Sequence, residues 1–216
     1  IQAGKKTPSE CGWEAKLKAG RFRVPFGAFA AMRHPGVYRT LTNPLMYNMG
    51  RRVFGTTGLA APPRQPVLPM PYADEGADVR VKIPLVYETS ATFDIYAVNG
   101  LQQSGPDLRF FQPSRSYTDN NSLPAFGGRL RVGNPCVQVG GSFMTGEAQP
   151  DGTTSGPVRY QLSGADLTAK FKDWLRVYLE YAIRTNTKKL SPFHPPDSRR
   201  TMAYGLVAEA EVKLWD

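Results

Sequence analysis

Apolar and polar residues alternate one for one along most of this chain. In Val79–Gly100 (VRVKIPLVYETSATFDIYAVNG), Val79, Val81, Ile83 and Leu85 share one face and Arg80 and Lys82 the other. After Tyr87–Glu88–Thr89 the alternation resumes, with Ala91, Phe93, Ile95 and Ala97 opposed by Thr92, Asp94 and Tyr96. Successive side chains of a strand point to opposite faces, so two such runs around a short polar break predict a β-hairpin. One face is apolar and the other charged. That suits either a half-exposed sheet in water or a barrel wall with lipid outside and water inside.

The same plan recurs along the chain. In Trp13–Phe26 the apolar set is Trp13, Ala15, Leu17 and Ala19, then shifts parity after Gly20 to Phe22, Val24 and Phe26. The shift predicts a glycine β-bulge or two separate short strands. Gly27–Gly76 has no sustained period and reads as a long loop, with a short helix expected within Tyr38–Arg52. Such a loop is uncommon in a compact soluble domain, whereas outer-membrane barrels often fold one into the lumen. Leu101–Pro124 is a second long polar loop, and FGGRLRVGNPCVQVGGSFMTGE a second hairpin, turning at Gly133–Asn134–Pro135. Gly146–Pro157 is a third loop.

ADLTAKFKDWLRVYLEYAIRT fits two templates. As strands it sets Ala165, Leu167, Ala169 and Phe171 before a turn at Lys172–Asp173, then Leu175, Val177, Leu179, Tyr181 and Ile183. As a helix over Asp166–Ile183 it aligns Leu167, Phe171, Trp174, Leu175, Tyr178, Leu179 and Ala182 on one stripe. The hairpin is preferred because it repeats the plan already seen twice. After the loop Asn186–Ser198, Met202–Trp215 is the cleanest alternating run. The count is about eight strands, and short turns alternate with long loops. This collects the turns at one end of the sheet and the loops at the other, as in bacterial outer-membrane barrels.

Composition narrows the choice little. The chain of 216 residues is 41% hydrophobic, without an apolar run long enough for a transmembrane helix. Hydropathy is blind to strands that cross. The net charge of +9 raises nucleic acid as a partner, but the cations are spread through the strands, with no recognition motif, and no nucleic acid is expected. Cys11 and Cys136 are too few for a disulfide scaffold, and His34 and His194 lack metal-ligand spacing, so no metal or cofactor is expected. The chain begins at Ile1 without a signal-like segment and is read as a mature protein or a fragment.

GRFRVPFG (Gly20–Gly27), the strand ending AVNG (Ala97–Gly100), GRLRVG, VGGSFMTGE and YQLSGADLTAKFKDWLRVYLEYAIRT together resemble the Gram-negative outer-membrane porin-like barrels, in particular the phosphate-selective porin O and P group. The resemblance implies a wide transmembrane β-barrel, usually a homotrimer, with basic side chains in its lumen favouring anions. That family's barrels have about sixteen strands and close on an aromatic terminal residue. This chain supplies about eight and ends Leu214–Trp215–Asp216, and so reads as a fragment of a larger barrel.

With the barrel reading, the pore-lining candidates are Arg21, Arg23, Arg80, Lys82, Arg129, Arg131, Lys170, Arg176 and Arg184, against Asp94, Asp166, Glu180, Glu209 and Glu211. Rings of Lys and Arg lower the barrier for anions and raise it for cations, and arginine offers a planar fork to phosphate or carboxylate. Charges on one strand face also pair across strands. No catalytic constellation is present: the serine of GGSFMTG lies within a strand pattern, Glu209 and Glu211 are neighbours on one face, and neither GTTG nor GGRLRVG has a phosphate-loop context. The expectation is an all-β, antiparallel transmembrane barrel, wholly or in part, of the bacterial outer membrane. It would contact the lipid bilayer, pass small anionic or neutral solutes by diffusion with weak anion preference, and catalyse nothing. The alternatives are a soluble, secreted β-sandwich binding module, whose apolar faces pack on each other, and an α+β protein with the Asp166–Ile183 helix.

Overall fold

A computed structural model of the chain describes residues 12–32, 46–47, 67–68, 72–101, 123–148, 158–172, 174–188 and 200–213. They form one antiparallel sheet with strands in sequence order: β1 (Glu14–Arg23), β2 (Ala73–Pro84), β3 (Ser90–Val98), β4 (Ala125–Gly133), β5 (Val137–Ala148), β6 (Val158–Phe171), β7 (Leu175–Lys188) and β8 (Arg200–Val212). One short helix, α1 (Gly27–Met32), follows β1. The segment open to helix or hairpin is a hairpin, β6 paired with β7 from Phe171 opposite Leu175 to Val158 opposite Lys188. The helix expected within Tyr38–Arg52 falls outside the described residues, apart from a turn at Met46–Tyr47.

The three hairpin turns lie at one end and the four longer connections at the other. The β2–β3 turn closes with Leu85 N donating to the Thr89 carbonyl at 2.8 Å. Its central residues, Tyr87 and Glu88, both hold positive φ, 55° and 58°, as the twist of a tight hairpin demands. In the β4–β5 turn the Asn134 side-chain oxygen accepts from Cys136 N at 2.9 Å and Val137 N at 2.7 Å, so asparagine replaces a backbone acceptor.

Pairing between β1 and β2 runs one to one through Gly20, opposite Gly76, so the expected bulge is absent. Phe22 therefore shares the face of Lys16 and Lys18, whereas Arg21 shares that of Leu17. The apolar pattern changes face because the surroundings change. Toward the loop end, the face carrying Phe22 is covered by residues 24–29, 46–47 and 67–68. Val24, Phe26, Ala28, Phe29, Tyr47, Val67 and Leu68 pack there on Val98, Ala125, Met144, Val158, Tyr160 and Leu162 from the strands.

That cluster is the core, and it lies on the polar face. The apolar face has no cover among the described residues: Leu17 is 73% exposed, Ile95 69% and Leu206 71%. On the polar face Asp94 is 3% exposed, Asp166 5% and Glu180 1%. Burial is thus inverted relative to an ordinary half-solvated sheet.

Of the barrel expected wholly or in part from sequence, the described residues form one antiparallel sheet that is not closed. Among the described residues β1 pairs only with β2 and β8 only with β7. An eight-stranded barrel has an interior just wide enough to be filled by its own side chains, and here a backbone segment occupies that space as well.

Candidate functional site

The polar face divides into two zones. Toward the turn end it holds an open recess of about 210 Å³ lined by Glu14, Lys16, Arg80, Lys82, Ser90, Thr92, Arg131, Gly133 and Gln138. Strand register gathers these residues: Glu14 stands opposite Lys82, Lys82 opposite Thr92 and Thr92 opposite Arg131, one row across four strands. Four cations face one carboxylate. Lys16 pairs with Glu14, and Arg80 Nε donates to Asp94 at 2.5 Å. Among the described residues no ion pair or hydrogen bond engages the side chains of Lys82 or Arg131, so the recess presents uncompensated positive charge.

Toward the loop end, residues Val24–Phe29 form a strap across β4 to β7, held by buried polar groups. Arg129 donates through Nη2 to both carboxylate oxygens of Asp166, at 2.9 and 3.1 Å, and through Nη1 to the Gly27 carbonyl at 2.5 Å. Gly27 N donates to Ser142 Oγ at 2.9 Å and Phe29 N to Glu180 Oε2 at 2.9 Å, while the Tyr178 hydroxyl also donates to Glu180. The orphan amides at the start of α1 thus find their acceptors on the sheet. Phe29 stacks on Tyr47 with centroids 5.4 Å apart and packs tilted against Tyr178 at 6.2 Å. Burial, with the Asp166 carboxylate second, pushes the Tyr47 hydroxyl well above the ordinary tyrosine range and keeps it neutral.

Missing side chains make room for this layer. A Cβ on Gly205 of β8 would lie 2.4 Å from the Met46 Cβ, and one on Gly164 of β6 would lie 3.2 Å from the Phe26 ring. At the far rim Tyr72 donates to Asp74 at 2.8 Å, and Asp74 also accepts from Gly100 N at 2.7 Å. Burial, then Tyr160 and Asp74, holds the Tyr72 hydroxyl well above its usual range.

The nine cations singled out in the sequence have three fates. Arg80, Lys82, Arg131, Lys170 and Arg176 lie on the polar face toward the turn end, with Lys170 opposite Arg176 and Arg176 3.6 Å from Glu211. Arg129 and Arg184 share that face but are buried. Arg21 and Arg23 do not share it. They carry the parity of Leu17 and Ala19, and Arg21 stands opposite Glu75 near the loop end.

Alternation marks neither the strap nor the anchoring roles of Ser142, Tyr178 and Glu180. Their partners lie 115 and 151 residues away along the chain for Ser142 and Glu180, a separation that leaves no local pattern. Among the described residues no group of His, Cys, Asp or Glu could hold a metal ion, and no helix is long and apolar enough to cross a membrane. Comparisons with protein-family models, curated proteins and solved structures find no match to this chain.

Proposed function

We propose that this chain is wall and partial plug of an outer-membrane diffusion channel, passing small solutes with a weak preference for anions. The observation that carries the reading is the inverted burial. Large apolar side chains line the face of all eight strands that has no cover among the described residues, while the strap, the buried ion pairs and the core lie on the other. Exposed apolar surface of that extent needs a cover, and a bilayer is the cover a two-faced antiparallel wall accepts. A soluble sandwich would bury the apolar face and solvate the charged one.

The dimensions agree. Apolar-face residues of β8 run from Met202 to Val212. Ten steps of about 3.4 Å, at the tilt usual for membrane barrels, span about 25 Å, the height of such a barrel's apolar band. Beyond it toward the loop end the same face turns polar, with Arg21, Glu75 and the paired Glu147 and Arg159. At the turn end Trp13, Tyr87, Phe171 and Trp174 are all exposed, the residue types that favour a membrane–water interface. Anion preference rests on the recess, where Lys82 and Arg131 would meet a solute that has passed the strap.

Ionic current through the protein in a planar bilayer under a salt gradient tests the reading. Stepwise conductance with a reversal potential of anion-selective sign is the expected result. Protein that remains monodisperse in buffer without detergent, and passes no current, overturns it.

A further inference from the structure

We propose that the edge of β8 pairs with the edge of β1 in a second copy of this chain, so that two chains share one wall; the proposal rests on the channel reading. Unpaired strand edges expose rows of N–H and C=O groups, and natural proteins blunt them with proline, bulges or short length. Among the described residues neither edge is blunted. β1 has ten residues and β8 thirteen, both without proline, and β1 runs through Gly20 in unbroken register. With turn ends together the two strands are antiparallel, because an even number of strands separates their directions.

The charges on the two edges select one register. If polar positions are to face polar positions, the strands can slide only in steps of two residues. One setting puts Glu14 opposite Lys213, Lys16 opposite Glu211 and Lys18 opposite Glu209, three opposite-charge pairs in succession. On the other face it sets Leu17 beside Ala210 and Arg23 beside Tyr204. Sliding by one step brings Glu14 onto Glu211 in one direction and Lys16 onto Lys213 in the other. Both neighbouring registers therefore carry a like-charge clash.

The occupant is a second copy rather than this chain's own far edge because of what lies between the edges. Phe26, Phe29 and Tyr47 pack on the polar face, and an eight-stranded interior is just wide enough for its own side chains or one small ligand, so a strap of backbone and aromatic rings calls for a wider wall. Two chains related by a two-fold rotation form both β8–β1 seams identically.

Paired single-cysteine chains test this, in a background carrying Cys11→Ser and Cys136→Ser. Differently tagged Leu17→Cys and Ala210→Cys chains are folded together into phosphatidylcholine vesicles, and separately in detergent micelles, and oxidised. The expected product is a disulfide-linked dimer carrying both tags, formed several-fold more than with Ala208→Cys as the partner. Lys16→Glu should lower its yield by roughly five- to tenfold, and Glu211→Lys in the facing chain should restore it. A Leu17→Cys/Ala210→Cys chain that links only within itself, or mixed chains that never link, overturns the pairing. Chains that link in micelles but carry no current overturn the channel reading alone, and conducting chains that do not link overturn the pairing alone.

Discussion

Arg129 on β4 and Asp166 on β6 meet across an intervening strand, their side chains 2.9 Å apart over β5. The contact exists because the β5 residue opposite Asp166 is Gly140. A Cβ there would lie 2.5 Å from the Asp166 carboxylate, so the missing side chain lets Asp166 lean toward its partner. Both charges are nearly fully buried.

Removing one partner of a buried pair strands the other. Asp166→Asn should therefore destabilise the folded protein by about 3–5 kcal/mol, whereas Asp166→Leu combined with Arg129→Met should recover most of the loss. Denaturant unfolding in detergent, followed by tryptophan fluorescence, measures both. A single variant no worse than the double one would remove the pair's structural role.

The strap has a separate anchor in Glu180. Glu180→Gln keeps the shape but exchanges a carboxyl for an amide acceptor of Phe29 N, at a cost of about 1–2 kcal/mol. Faster hydrogen exchange at the Phe29 amide, with strand amides unchanged, is the expected signature. Gly205→Val acts from the other side by taking the space of Met46, and should raise single-channel conductance if the layer restricts the passage.

Reversing the charge of the recess should change selectivity without unfolding anything, since Lys82 and Arg131 hold no partner there among the described residues. Lys82→Glu with Arg131→Glu should shift the reversal potential toward cations by about threefold or more in permeability ratio at 0.1 M salt. The shift should shrink at 1 M, where the screening length falls to about 3 Å. An unchanged reversal potential would take the recess off the permeation path.

The β2–β3 turn stores strain at two residues that favour negative φ. Glu88→Gly removes one penalty and should raise stability by about 1 kcal/mol, visible as a shift in the unfolding midpoint with unchanged slope. A destabilised Glu88→Gly variant would mean that its side chain makes a contact worth more than the strain.

The wall was legible because alternation reports directly which face a strand residue takes, and all eight strands follow from it. The start of β2 was missed: Ala73–Asp78 (ADEGAD) is small and acidic and carries no apolar period. Parity through Gly20 was misread because an apolar residue was assumed to mark one face throughout, whereas Phe22 packs against the core on the polar side. The same assumption misplaced Arg21 and Arg23. Among the candidate site residues, the sequence marked charge but not its use. Nothing local distinguishes Arg129, locked to Asp166 and Gly27, from Arg131, two residues on and without a partner among the described residues.

Neighbour-only strand order has a consequence for how the molecule comes to its final form. Every strand pairs with the next in sequence, so the three tight hairpins can form first through short loops of low closure entropy and then join through the four longer connections. The strap is different. It leaves β1, yet its acceptors Ser142 and Glu180 sit on β5 and β7, which do not exist as a surface until most of the sheet has assembled. Wall formation and plugging are therefore successive events, and refolding should show a late phase in which an already paired sheet acquires its filling.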